Sequence, residues 1–118
     1  MLVIRVIGEL EVQLAGTTAE LPASRRARAL LSWLALHPGR HSRSRLAGQF
    51  WPEVLDASAR ASLRSALWAL RSALGPGFAG YLATERDSIA LAGADLQVDL
   101  LEARRLLASG HIQRDDRD

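Results

Sequence analysis

The chain has no cysteine and no lysine, and aromatic residues make up only 5% of its 118 positions. Without thiols there is no disulfide framework, no thiolate zinc site and no cysteine nucleophile. No apolar run approaches the roughly 20 residues needed to cross a bilayer. The opening MLVIRVIGEL lacks a basic segment followed by a long apolar run and a small-residue cleavage site. No signal peptide is expected, and the cytoplasm is the expected compartment. What is present, 48% hydrophobic and 24% charged residues, is the composition of a globular chain. The length suits one domain with room for the start of a second.

Acids are scarce in the middle. All 15 basic residues are arginine, and the net charge is only +2, yet the pI is about 10.3. Either a GC-rich coding bias or the fit of the guanidinium fork to phosphate would put arginine in place of lysine, so distribution has to decide between them. Arg25, Arg26, Arg28, Arg40, Arg43, Arg45, Arg60, Arg64 and Arg71 all lie between positions 24 and 75, against only Glu53 and Asp56. A basic middle with acids towards both ends favours a polyanionic partner, for which the planar guanidinium fork is well suited.

Periodicity places the elements. LVIRVI is a short β-rich run, and ELEVQLAG alternates, with Leu10, Val12 and Leu14 on one face. AGTT reads as a turn and AELP as a short third strand, so the chain opens with a small antiparallel sheet. Ser24 is placed to cap a helix to about His37, with Ala27, Leu30, Leu31 and Leu34 buried. Pro38 and Gly39 break it. Ser42 caps a second helix with Leu46, Ala47, Phe50 and Trp51 inward, ended by Pro52. Asp56 is expected to cap a third helix (about 57–74), which Gly75 and Pro76 stop. YLATERDSIALAG reads as a hairpin turning near Arg86, Asp87 and Ser88. A last helix begins at Asp99, with Asp99 and Glu102 as a capping box and Gly110 at its end. The tail HIQRDDRD is expected to be disordered.

The third helix is divided by face. At 100° per residue, Leu63, Leu67, Leu70 and Leu74 fall within about 60° of one another. Ala61, Ser65, Trp68 and Ser72 lie opposite, and Arg60, Arg64 and Arg71 form a stripe between. Small residues let a helix backbone approach a surface closely, and an arginine rail along one border suits phosphates. A sheet, three helices and then a hairpin is the layout of a winged helix-turn-helix, in which the last helix enters the major groove.

The stretches RARALLSWLALHPGR, SRSRLAGQFWPEV, ARASLRSALWALRSALG and LATERDSIAL, in this order, resemble the OmpR/PhoB-type winged-helix domain of SARP-class actinobacterial transcriptional activators. VDLLEARRLLASG resembles the opening of the α-helical activator domain that follows it in those proteins. The resemblance implies an α+β winged helix-turn-helix over 1–98, with 99–118 holding the first helix of the next domain and the tail. It also implies action on directly repeated promoter sites and contact with RNA polymerase through the loop Pro52, Glu53, Val54, Leu55 and Asp56. Family members usually carry further basic or polar residues at the positions of Ala69 and Ser72, and Trp68 is unusual there.

Enzymatic alternatives find little support. His37 and His41 are four apart, but Pro38 and Gly39 between them prevent a shared helical face, and no third ligand stands near. GPGFAG lacks the Lys-Ser/Thr of a phosphate loop. Asp115, Asp116 and Asp118 fall in the expected tail, and no Ser/His/Asp arrangement can be argued. No catalysis, cofactor, metal or membrane is expected. The expected function is sequence-specific binding of double-stranded DNA. Arg64 reads a base, Arg60, Arg71, Arg43 and Arg45 clamp phosphates, Arg86 sits at the wing, and Ala61, Ser65 and Trp68 form the approaching face. The rival is a protein-interaction module in which the Trp68 face docks a partner or a second copy, with homodimerisation and weakened DNA binding.

Overall fold

In the computed structural model, which describes residues 1–108, the order is β1 (Leu2–Arg5), β2 (Glu11–Leu14), β3 (Thr17–Thr18), α1 (Arg25–Leu36), β4 (Arg40–Ser42), α2 (Arg43–Phe50), α3 (Asp56–Leu74), α4 (Pro76–Ala79), β5 (Leu82–Thr84), β6 (Ser88–Leu91), β7 (Leu96–Val98) and α5 (Asp99–Ala108). This is an α+β fold with two sheets. One has the strand order β3-β2-β1-β7 and the other β4-β6-β5. Among the described residues no helix is long and apolar enough to cross a membrane. Gly110 and the expected disordered tail lie outside the described residues.

The helix starts follow side-chain chemistry. Ser24 Oγ accepts a hydrogen bond from the Ala27 N–H at 3.1 Å, and Ser42 Oγ from the Arg45 N–H at 3.3 Å. Each satisfies a donor that the first turn leaves orphaned. The third helix departs from expectation. Leu55, in extended backbone, precedes it without a side-chain cap, and Asp56 is its first residue. A carboxylate in the first turn still meets the positive end of the helix dipole. Gly75, at φ 85°, stops α3, its N–H donating to the Arg71 carbonyl at 2.9 Å. Pro76 then opens the short helix α4 instead of a plain loop, since its fixed φ suits a first helical position.

The N-terminal sheet also corrects the sequence reading. Ala15 and Gly16 both have positive φ, 51° and 81°, as a two-residue hairpin turn requires. The third strand is therefore Thr17–Thr18, paired with Leu14 and Gln13, and AELP is not a strand. Nor is the sheet wholly antiparallel, because β7 pairs parallel to β1 with Leu2 opposite Leu96 and Ile4 opposite Val98. Strand β4 was not foreseen. It joins the β5–β6 hairpin by placing His41 opposite Ile89.

Leu30, Leu31 and Leu34 of α1, Leu46 of α2, Leu63, Leu67 and Leu70 of α3, Phe78 and Ile89 are all buried in one core that continues to Leu2, Ile4 and Val12. Each fully buried leucine contributes about 1.5–3 kcal/mol of hydrophobic stabilisation. The leucine stripe of α3 thus fixes which way that helix is rotated, and with it which residues face outward. Asp99 ties α5 to the N-terminal sheet. Its carboxylate accepts from the Val6 and Ile7 N–H groups at 2.9 and 3.1 Å, and from Leu100 at 2.8 Å. The expected capping box is replaced by this long-range clamp within the chain, and Glu102 pairs with Arg105.

Candidate nucleic-acid interface

With the leucine stripe inward, the opposite side of α3 is open. Ala61, Ser65, Trp68 and Ser72 are all exposed, Trp68 by 68%. The face is small and uncharged apart from this one aromatic. Arg60 and Arg64 are exposed on its border, while Arg71 is half-buried.

That arginine border faces α2 and the β5–β6 hairpin. Arg43, Arg60, Arg64 and Arg86, drawn from α2, α3 and the hairpin turn, line one concavity together with Ser44, and Asp87 is the one carboxylate lining it. Its volume of about 270 Å³ falls just below the roughly 300–1,000 Å³ usual for small-molecule sites. Several guanidinium groups held together repel one another, and a bound anion relieves that repulsion.

Local bonds hold the arrangement. Arg43 fastens the hairpin turn to the start of α2: its N–H donates to the Asp87 carbonyl at 2.9 Å and its Nη1 to the Glu85 carbonyl at 2.8 Å. Arg60 Nη2 donates to Ser44 Oγ at 2.5 Å, bridging α3 to α2. Arg40 on β4 is anchored by the Glu85 carboxylate and by Ser88 Oγ of the hairpin. Arg71, Arg64 and Arg43 also border the open surface around Trp68, alongside Ala61 and Ser65.

Along the other border of that face, Ala61, Ser65 and Ala69 share a second concavity with Ser24, Arg25, Arg26 and Trp51 at the start of α1 and the end of α2. Here Arg26 lies 6.0 Å above the Trp51 ring and pairs with Glu53 at 2.6 Å. That hydrogen bond to Arg26 holds the Glu53 carboxyl below its ordinary pKa. Pro52, Glu53, Val54, Leu55 and Asp56 are all exposed. Val54 and Leu55 in particular are 41% and 82% accessible, so the loop is anchored at Trp51 and Glu53 and presents its aliphatic residues outward.

Arg45 is not brought to the cluster. It lines a separate hollow with Trp33, Arg40, His41 and Gln49. His37 stacks on Trp33 with ring centroids 4.1 Å apart, and His41 meets the same ring edge-on at 4.7 Å. His37 Nδ1 donates to the Trp33 carbonyl and His41 Nε2 to the His37 carbonyl, at 2.8 and 2.6 Å. Both rings therefore serve the α1–β4 corner. Sequence reasoning missed Ser44 and Thr84, the hydroxyl partners of Arg60 and Arg71, because nothing local marks a surface hydroxyl as an arginine's partner. Comparison with protein-family models and with curated proteins finds no match.

Proposed function

We propose that this chain is a sequence-specific double-stranded DNA-binding domain of winged helix-turn-helix type from a transcriptional activator. The observation that carries the reading is the convergence of Arg43, Arg60, Arg64 and Arg86 on one concavity beside the exposed face of α3. In this reading α3 lies in the major groove, with its small residues allowing close approach. Arg64, exposed on the border, reaches base edges, while Arg60, Arg71 and Arg43 hold phosphates and Arg86 follows the hairpin towards the backbone or minor groove. Phosphate contacts position the domain and base-edge contacts specify the site. The resemblance to SARP-class activators adds directly repeated promoter sites and contact of the Pro52–Asp56 loop with RNA polymerase. The proposal is of a binding protein in the cytoplasm, with neither catalysis nor cofactor.

The exposure of Trp68 favours a second reading, docking of another protein or a second copy on the α3 face. Salt dependence separates the two. If four to six arginines neutralise phosphates, log K against log[salt] slopes by roughly −4 to −5 on B-DNA. Absence of duplex binding at about 50 mM salt would overturn the DNA reading. Binding with a slope near zero would replace phosphate contact with apolar contact.

A further inference from the structure

We infer that Trp68 is a specificity-determining residue that reads the C5-methyl group of thymine in the major groove, an inference that rests on the DNA-binding reading above. Trp68 stands in the middle of the outward face of α3, with 68% of the residue exposed. One turn before it lies Ser65, two turns before it Ala61, and one turn beyond it Ser72, all small and exposed. It is the one bulky apolar group on a surface otherwise able to lie against something closely.

The surroundings select the occupant. Arg43, Arg64 and Arg71 border the surface around the indole with Ala61 and Ser65, and among the described residues no carboxylate lines it. A second copy docked through a two-fold axis would bring the same patch against itself, guanidinium against guanidinium, and like charges across an interface oppose association. A duplex supplies the complement on both counts. Its phosphates meet the arginines, and its major groove offers one apolar group for an exposed ring to cover, the thymine methyl. Asn or Gln would pair with adenine and Arg with guanine, but an indole ring in that place is matched to the methyl.

Replacing thymine by deoxyuridine removes that methyl and leaves the hydrogen-bonding edge unchanged. A preferred site is first selected from a random duplex library with the native chain. Each thymine in it is then changed singly to deoxyuridine, and Kd is measured for the native chain, Trp68→Ala and Trp68→Phe. One replacement is expected to weaken native binding about four-fold, the worth of one buried methyl. Trp68→Ala should lose that sensitivity and Trp68→Phe keep it, with melting temperatures of all three alike. Tight native binding indifferent to every replacement, or a sensitivity that survives in Trp68→Ala, overturns the role of Trp68 and leaves DNA binding standing. Failure of the native chain to bind any duplex overturns both. A concentration-dependent dimer abolished by Trp68→Ala, with no effect of deoxyuridine, assigns the ring to self-association instead.

Discussion

Nη2 of Arg71, late on α3, donates a 2.9 Å hydrogen bond to Oγ1 of Thr84 on β5. The helix and the hairpin are thereby coupled through one of the arginines proposed to hold DNA. Arg71→Ala should weaken binding to all duplexes about equally and reduce the salt slope by about one. Thr84→Val removes the tether but keeps the charge, so the slope should stay unchanged while affinity falls modestly. A slope that drops in both variants would mean that the charge acts only when positioned by Thr84.

Arg64 is exposed and borders both the arginine cluster and the Trp68 surface. Arg64→Ala should cost about 1–3 kcal/mol on the preferred site and relax selectivity at one base pair. Competition assays against single-base variants of the site read this directly. Equal weakening on preferred and random DNA would reassign Arg64 to the backbone.

Leu67 is 1% exposed at the centre of the leucine stripe. Leu67→Ala should destabilise the fold by about 2–5 kcal/mol, a large part of the roughly 5–15 kcal/mol available to a domain. Thermal or urea unfolding measures it. Because Trp68 is the next residue and points outward, Trp68→Ala is expected to leave the same unfolding curve nearly unmoved.

Burial pushes the Asp99 carboxyl up, but the N–H groups of Val6, Ile7 and Leu100, with the charge of Arg5, more than offset it and lower its pKa from 3.8. A carboxyl with a lowered folded-state pKa contributes stability that is complete above its unfolded value. That contribution is lost as pH falls through the folded value. Stability should therefore drop below about pH 4, and Asp99→Asn should show a smaller drop over that window while being less stable at neutral pH. Identical acid limbs in the two proteins would show that the clamp carries no linkage.

How much of this was legible in the sequence varies with the range of the forces involved. Ser24, Ser42 and the leucine stripe were readable because capping and helical periodicity act within one or two turns. Strands β4 and β7 were not, since Arg40–Ser42 and Leu96–Val98 are three residues each and gain their conformation only from distant partners. AGTT reads as a turn, but Ala15 and Gly16 alone make it, and the strand after it starts earlier than AELP because a two-residue turn puts Thr17 straight back into pairing. In the candidate interface the α3 rail followed from the 100° rule. The separation of Arg45 from Arg43 follows from the same rule, as two residues turn a helix by about 200°. The meeting of Arg43 with Arg86 depends on the hairpin crossing the start of α2, which no local pattern encodes.

The parallel pairing of Leu2 with Leu96 also sets an order of events for the growing chain. During synthesis β1 and β2 can form their hairpin as soon as they emerge, and the helical core can assemble behind them. The open side of β1 has no partner until β7 follows, and until then it presents a row of unpaired backbone groups able to recruit another nascent strand. Closing so long a loop costs entropy before the contact repays it, and Asp99, immediately after β7, fastens the strand end as it arrives. Docking of β7 is thus also the step that protects β1 from aggregation.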